Sequence, residues 1–291
     1  MNSFRIGQLE VFRIEEKIHH FDADDFYPEI RRDVIQQHAS WLAPFFDIAG
    51  HRMPCVFQAF VIKYGRLTIL VDSCIGNDKE RPDFLIAHRL QTPFIERLHA
   101  AGVNETDIDL VLCTHMHVDH VGWNTRLENG RWVPTFPNAT YVFSQEEYAR
   151  YAPENVRPED PPPFFNIYQD SVLPVIASGQ ALLVSGEHQV NEVVTVVPTP
   201  GHTPGHISVR AKNSGEIGMF LGDVIHNPVQ MADPDLNSAY CELPSLARQS
   251  RRTLLEQAVE TNTLLVPGHF LPPHIGRVCR DGAHFRFMGG A

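Results

Sequence analysis

The chain has 291 residues, of which 43% are hydrophobic and 20% are charged, and its formal net charge is -11. This length and composition allow a sizeable apolar core, whereas scattered Lys and Arg in an acidic chain disfavour nucleic-acid binding, which needs clustered basic residues. No apolar stretch approaches the roughly 18 residues of a membrane span, and the first residues lack the basic start and apolar core of a secretory signal, so we expect a cytoplasmic protein that does not bind membranes.

The N-terminal region changes its pattern after the first predicted strand. Residues 5–14 alternate well enough to predict that strand, whereas residues 22–46 carry apolar side chains at near-helical spacing. We therefore predict one domain over residues 1–291 with an N-terminal helical arm over residues 15–50. The arm either packs on the core or covers the active site or a partner subunit, and its aromatic residues are compatible with a homodimer.

The following segment predicts the order strand, strand, helix, strand. Residues 56–63 and 67–72 are apolar runs separated by Tyr-Gly-Arg, which indicates a β-hairpin. A helical pattern over residues 92–100 comes next, and residues 108–113 form another apolar run. This last strand leads directly into a run of ligand-type residues.

Metal-ligating side chains are densest between Thr114 and His120, where the chain reads Thr-His-Met-His-Val-Asp-His. His115 and His117 project two residues apart beyond the strand, whereas Asp119 and His120 are offset to serve a neighbouring position. Imidazole nitrogen and carboxylate oxygen suit zinc, and also iron, cobalt or manganese. The alternative is a group of solvated polar residues in an ordinary turn. We interpret the run as a metal-binding motif, and its spacing suggests two ions.

A loop rich in proline and charge follows over residues 153–165. Before it, residues 139–143 predict a strand, and Ser144 is placed to cap the next helix. Phe164 and Phe165 lie at the end of the loop, where it can fold back over the site. We predict that they form an apolar wall for the substrate; the alternative is that they pin the loop to the core.

Three more ligand-type residues each follow a short apolar run in the second half of the chain. His202 lies in Thr-Pro-Gly-His-Thr-Pro-Gly-His, Asp223 in Phe-Leu-Gly-Asp and His269 in Leu-Val-Pro-Gly-His. Pro or Gly ends each run, and the polar residue comes at once, which is how a strand delivers a side chain to its rim. We expect these strand ends to converge with the run that begins at Thr114.

The remaining elements of the second half complete the pattern. Residues 193–198, 206–211 and 217–221 predict three strands of a second sheet, with a hairpin turn at Asn-Ser-Gly. A helix is predicted over about residues 246–260, before the strand over residues 264–266. Two sets of strands and helices with no linker between them favour a layered sandwich.

In type and order, the seven ligand-type residues resemble those of the metallo-β-lactamase superfamily of metallohydrolases, over residues 56–269. The resemblance implies an α/β (α+β) fold, a four-layer αββα sandwich with the site at one edge. It also implies two metal positions and a bridging carboxylate. In that scheme one ion is held by His115, His117 and His202, the second by Asp119, His120 and His269, and Asp223 bridges them.

The resemblance further implies a dinuclear metal-dependent hydrolase. Two divalent cations, with Zn²⁺ as the expected identity, would hold a bridging hydroxide that attacks a lactone or another ester, organophosphates included. Asp119 is predicted to orient that hydroxide as well as to bind a metal. A serine nucleophile is not needed, and no Gly-x-Ser-x-Gly motif is present.

Within the superfamily, the pattern is most similar to lactonase-like and organophosphate-hydrolysing members. β-Lactamases of this fold lack the bridging aspartate, which disfavours a β-lactam substrate here. Many lactonases carry a tyrosine three residues after that aspartate, where this chain has His226. We predict that His226 donates a hydrogen bond in the same place. We expect a small-molecule substrate with an apolar portion that contacts Trp123 and Phe165, although Trp123 is equally typical of a core residue.

Three other functions stay open at this point. A glyoxalase II-type thioesterase would share the metal ligands but would need basic side chains for glutathione. A non-hydrolytic, iron-dependent redox member would bind iron and consume oxygen. A binding protein that kept the site would have no activity on esters or lactones.

Overall fold

The computed structural model describes residues 2–155, 157, 160 and 166–290. Two sheets of seven strands face each other at its centre. The first sheet contains β1 (Ser3–Ile6), β2 (Leu9–Asp22), β3 (Arg52–Tyr64), β4 (Leu67–Val71), β5 (Leu110–Leu112), β8 (Thr140–Ser144) and β9 (Ala181–Val184), in that order. A separate hairpin is formed by β6 (Thr125–Glu128) and β7 (Arg131–Pro134).

The second sheet is built from the C-terminal half of the chain. Its strands, in spatial order, are β10 (His188–Gln189), β11 (Val194–Pro198), β12 (Ile207–Asn213), β13 (Glu216–Phe220), β14 (Leu264–Val266), β15 (Gly276–Asp281) and β16 (His284–Gly289). Neighbouring strands are antiparallel except β13 and β14, which are parallel. In the first sheet, β4, β5, β8 and β9 are parallel.

Eight α-helices lie outside the sheets in the described part of the chain. They are α1 (Ala23–Phe26), α2 (Arg32–Gln37), α3 (Ala39–Leu42), α4 (Phe94–Ala100), α5 (Gln145–Tyr151), α6 (Leu173–Ala177), α7 (Val229–Ala232) and α8 (Pro244–Thr261). A π-helical turn at Tyr168–Val172 precedes α6. None of the helices described has both the length and the apolar character needed to cross a bilayer.

Apolar side chains from both sheets form the central core. Ile62 and Val71 of the first sheet and Val209 of the second are fully or almost fully buried in one cluster. Phe60 meets Phe220 across the interface with ring centroids 5.5 Å apart. Because strands alternate their side chains, the opposite faces of both sheets need covers of their own.

Helices provide these covers. Phe94 and Leu98 of α4 pack on the outer face of the first sheet, and Leu254 and Leu255 of α8 pack outside the second. The layer order is therefore helix, sheet, sheet, helix, which confirms the predicted four-layer αββα sandwich. The predicted segments around β3, β4, α4, β5, β8, β11 to β14 and α8 agree with the structure to within a few residues.

The prediction of a helical arm over residues 15–50 is wrong at its start. Residues 15–22 continue β2, which pairs with β3 as far as Asp22. A bulge between Glu15 and Lys17 turns the buried Glu16 inward and interrupts the alternation that identifies a strand. The three short helices α1, α2 and α3 follow, and their apolar residues pack with α8 and the second sheet.

Three hairpins were not predicted from the sequence. In the first, Gly7 and Gln8 separate β1 from β2, so the single strand predicted over residues 5–14 is corrected to a hairpin. The hairpin of β6 and β7 follows the ligand run, and β15 and β16 close the edge of the second sheet. These last two hairpins pair antiparallel over strands of four to six residues. Pairing with a neighbour, rather than local pattern, determines these strands.

A buried ionic cluster joins the segment before α4 to the π-helical turn. Asp170 accepts hydrogen bonds from both terminal nitrogens of Arg81 at 2.6 and 2.8 Å, and Lys79 Nζ lies 3.8 Å from its carboxylate. All three side chains are buried. Burial lowers the pKa of Lys79 to about 7, so the guanidinium of Arg81 is the charge that depends most on the Asp170 carboxylate.

We expect Asp170→Asn to lower the free energy of unfolding by about 3–5 kcal/mol, because it leaves the buried guanidinium of Arg81 without its counter-charge. The matched control is Asp235→Asn, which breaks the exposed pair with Arg252 and should cost no more than about 1 kcal/mol. Urea denaturation of both variants measures the difference. Equal costs for the two variants would contradict this role of Asp170.

Candidate metal centre

The seven predicted ligand-type residues come together at one edge of the sandwich. Four strands end there: β5 before the run that starts at Thr114, β11 before His202, β13 before Asp223 and β14 before His269. Parallel neighbours such as β13 and β14 deliver their carboxyl ends to the same edge. The sheet topology therefore brings residues that are distant in the sequence together at one site.

A first group consists of His115, His117, His202 and Asp223, whose ligand atoms all lie within 4.8 Å of one another. His117 Nδ1 is 3.0 Å from His115 Nε2 and 2.8 Å from His202 Nε2. Three imidazole nitrogens thus point at one position. A divalent cation at that position satisfies all three lone pairs together.

A second group consists of Asp119, His120 and His269, whose ligand atoms also lie within 4.8 Å of one another. Asp119 Oδ2 is 3.5 Å from His120 Nε2 and 3.6 Å from His269 Nε2. His120 Nε2 is buried and has no hydrogen-bond partner among the residues described. Mixed imidazole and carboxylate donors of this kind suit zinc and similar ions.

Asp223 lies between the two groups, and each of its oxygens faces one of them. Oδ2 is 3.2 Å from His202 Nε2 and 3.5 Å from His115 Nε2. Oδ1 is 2.9 Å from His269 Nε2 and 3.2 Å from His120 Nε2. This is the placement that a carboxylate needs to bridge two cations.

Burial keeps the first group in the form that binds metals. Burial lowers the pKa of His117 to about 4 and holds the pKa values of His115 and His202 well below the usual range. Burial alone would raise the pKa of Asp223, but the imidazoles of His120 and His269 hold it well below its usual range. The first group therefore offers neutral imidazoles and a charged carboxylate.

Further hydrogen bonds orient the ligand-type residues from behind. Asp72 accepts from Thr114 N at 2.7 Å and pairs with His120 Nδ1 at 2.8 Å. His269 Nδ1 donates to Val56 O at 3.0 Å. Such contacts fix the tautomer and leave the opposite nitrogen of each ring for a metal.

Sequence reasoning missed His206, which holds the backbone at Asp223. His206 Nε2 accepts from Asp223 N at 2.9 Å, and His206 Nδ1 lies 2.9 Å from Thr199 Oγ1. Gly222 makes the close approach possible, because it has a φ of +51° and a Cβ there would be 2.6 Å from His206 Nε2. The second histidine of the Thr-Pro-Gly-His repeat is the signal that could have identified this contact.

A cavity of ≈ 440 Å³ opens above the two groups. Its walls are largely aromatic and aliphatic. The apolar lining residues are Phe21, Phe26, Phe57, Phe84, Val118, Ile167, Ala239 and Tyr240. The charged lining residues beyond the two metal-binding groups are Asp83, Arg150, Arg157, Asp160 and Glu242. Phe26 comes from the N-terminal helices, so that part of the chain contributes to the wall.

The structure brings His226 to this cavity but not Trp123. His226 is 3% exposed and lines the wall, with Nε2 3.1 Å from Asp223 Oδ2. Trp123 instead stacks on Phe94 and donates from Nε1 to Glu16 at 2.7 Å. A turn behind the ligand run directs its indole into the core, so the predicted substrate contact for Trp123 is corrected.

Phe164 and Phe165, the other predicted substrate contacts, lie outside the described residues. The neighbouring Ile167 is described and lines the cavity.

Comparison with protein families gives one match that spans most of the chain. A model described as the metallo-β-lactamase superfamily matches residues 54–269. This segment contains all seven ligand-type residues.

Two curated relatives match over shorter segments. N-acyl homoserine lactonase AttM of Agrobacterium fabrum is 29% identical over 134 residues, which cover 41% of this chain and 43% of that protein. Glyoxylase B2 of Dictyostelium discoideum is 26% identical over 164 residues, which cover 54% of this chain and 47% of that protein. The matched segments thus span less than half the length of either relative.

Solved structures show the same fold over nearly the whole length. The hydrolase AbOPH superposes with a TM-score of 0.82 at 22% identity and covers 99% of this chain and 97% of its own. AidC, described as a dizinc quorum-quenching lactonase, superposes with a TM-score of 0.81 at 20% identity and the same coverage. At these identities the likeness establishes the shared fold.

Removal of divalent cations with a chelator is expected to lower the unfolding temperature, because cations that bind only the folded chain stabilise it. Zn²⁺ added back at 100 times its dissociation constant should restore about 2.7 kcal/mol per site. Asp223→Asn should reduce this gain, whereas His188→Ala in β10 should not. Calorimetry with and without Zn²⁺ measures the effect. If the unfolding temperature of the wild-type protein did not change with Zn²⁺, this result would contradict the assignment of the two groups as metal ligands.

Proposed function

Because this chain belongs to the metallo-β-lactamase superfamily, we propose that it is a dinuclear metal-dependent hydrolase that opens a lactone or cleaves another ester with an apolar portion. One observation carries the proposal: Asp223 presents one oxygen to each of two groups of ligand-type side chains. A site for a single ion would need only one of these two groups.

The proposed cation sites follow the two groups. His115, His117 and His202 would hold one ion, Asp119, His120 and His269 the other, and Asp223 would bridge them. Two divalent cations at these sites, with Zn²⁺ as the expected identity, would lower the pKa of a bound water and polarise the ester oxygen. The buried, unpartnered Nε2 of His120 supports this assignment.

Asp119 is proposed to orient the attacking water as well as to bind a cation. Its carboxylate lines the cavity and is more exposed than that of Asp223, at 14% against 5%. Although burial opposes it, the nearby His120 and His269 lower the pKa of Asp119 to about 2. The charged carboxylate of Asp119 can thus accept a hydrogen bond from the attacking water at one of its oxygens.

His226 is proposed to donate a hydrogen bond to the oxygen that leaves. Neither ring nitrogen has a hydrogen-bond partner among the residues described, although the side chain is buried. Its ring lies parallel to that of His269 and edge-on to Phe26. Its Nε2 lies 3.1 Å from Asp223 Oδ2, so this edge of the ring is beside the two groups of ligand-type residues.

The cavity favours a neutral substrate over an anionic one. Arg150 already pairs with Asp160 and with Glu242, the latter at 2.7 Å, and Arg157 faces Glu242 at 3.9 Å. The arginines that line the cavity are therefore engaged by carboxylates of the chain. A glutathione thioester would need unpaired cations for its carboxylates, whereas an uncharged lactone or ester needs the apolar walls.

We also propose that the whole chain acts as one domain. Phe21 and Phe26 from the N-terminal region line the same cavity as His202 and His226 from the second half. Removal of the N-terminal region would open this wall.

We expect Asp223→Asn and His117→Ala to lower turnover by orders of magnitude and to reduce bound metal, since each removes a donor from the paired sites. The assay measures hydrolysis of a panel of lactones, carboxylic esters and phosphotriesters, with metal content determined on the same samples. Glu260→Gln, on the exposed end of α8, is the control and should match the wild type. Full activity in a metal-stripped protein would contradict the proposed mechanism.

The role of His226 predicts a dependence on the leaving group. His226→Phe should lower kcat for alkyl esters by about 10²-fold or more, because their leaving oxygen needs a donor. Esters of p-nitrophenol, whose leaving group needs little assistance, should lose much less. A uniform loss across both series, with unchanged metal content, would show that His226 does not assist the leaving oxygen.

A further inference from the structure

We propose that Glu147 is the positioning residue that sets the spacing of His115, His117 and His202, and thereby the affinity of one of the two cations. This inference rests on the proposed dinuclear function. It assigns a role to a side chain that reaches neither the cavity nor either group of ligand-type residues.

Glu147 joins two turns that carry histidines of the first group. Its Oε1 accepts from Met116 N at 2.9 Å, between His115 and His117. Its Oε2 accepts from Thr203 Oγ1 at 2.7 Å and from Gly205 N at 3.1 Å, directly after His202 in the chain. One carboxylate therefore holds both turns.

The two turns belong to different sheets. The turn around Met116 follows β5 of the first sheet, and the turn around Thr203 connects β11 to β12 of the second. A cation held by the three histidines must draw ligands from both sheets at once. The bridge through Glu147 keeps those ligands at a fixed separation, which metal geometry requires.

The surroundings of Glu147 leave this bridge little freedom. The side chain is 1% exposed, and Glu147 N donates to the capping Ser144 Oγ at 3.3 Å. A Cβ on Gly205 would be 2.1 Å from Glu147 N, so α5 starts in direct contact with the second turn. Burial raises the pKa of Glu147 to about 7, while the donors of Met116 and Thr203 favour the charged form.

The second group is held by other contacts. His120 is hydrogen-bonded to the carboxylate of Asp72, and His269 is hydrogen-bonded to the carbonyl of Val56. The carboxylate of Glu147 accepts hydrogen bonds from Met116, Thr203 and Gly205. None of these residues adjoins His120 or His269 in the chain. Loss of the Glu147 carboxylate should therefore weaken one cation and spare the other.

The test is titration of the metal-free protein with Co²⁺ and with Zn²⁺, followed by calorimetry and, for Co²⁺, by visible absorption. Glu147→Gln, which sets an amide N–H₂ against backbone and hydroxyl donors, should weaken one of two binding steps by about 10- to 100-fold. Thr203→Val, which removes one donor with little change of shape, should weaken the same step less. Glu146→Gln, at the exposed neighbouring position, should alter neither step.

Asp119→Asn identifies the steps, because it should weaken the one that Glu147→Gln leaves intact. If Glu147→Gln weakens both binding steps equally, or weakens neither, the inference is overturned. This holds even if the metal-free variant unfolds at a lower temperature than the wild type. Should that variant not fold, Thr203→Val decides by the same criterion. A wild-type protein that binds one cation would contradict the dinuclear proposal instead. Unchanged affinity for that cation in Glu147→Gln would then overturn this inference separately.

Discussion

A single buried carboxylate is the constraint on which this edge of the molecule depends. Five imidazoles, those of His115, His120, His202, His226 and His269, have a nitrogen within 3.5 Å of an oxygen of Asp223. A charged group removed from water is costly unless its surroundings compensate. Although burial opposes it, nearby acidic groups raise the pKa values of His120 and His269 well above the usual range, and these two imidazoles in turn stabilise the charge of Asp223. Two bound cations would take over this compensation. The sandwich is arranged so that strands from both sheets end around this point.

Different hydrogen bonds support the two groups of ligand-type residues on either side of Asp223. Asp72 and the carbonyl of Val56 orient His120 and His269, whereas Glu147 ties together the turns of the first group. His206 fixes the backbone of Asp223 itself. Each of these residues acts through another, and together they determine the geometry that metal binding needs before any substrate arrives. The apolar cavity above then selects what reaches the centre.

The sequence predicted the ligand-type residues better than their surroundings, and the reason is physical. His115 to His120 form a local pattern that needs no tertiary information, and Asp223 and His269 follow apolar runs that read as strands. The bulge at Glu15 and Lys17 hides the continuation of β2, because it breaks the alternation on which strand prediction depends. The direction of Trp123 is decided by stacking on Phe94, distant in the chain, and the bridge through Glu147 joins two sheets. Contacts of this kind leave no periodic trace in the sequence.

Anomalous diffraction at the zinc absorption edge, from crystals of the protein grown with Zn²⁺, tests the central claim most directly. The account predicts two peaks on opposite sides of the Asp223 carboxylate, one in contact with His115, His117 and His202 and the other with Asp119, His120 and His269. One peak, no peak, or an Asp223 side chain turned away from the metal would contradict it.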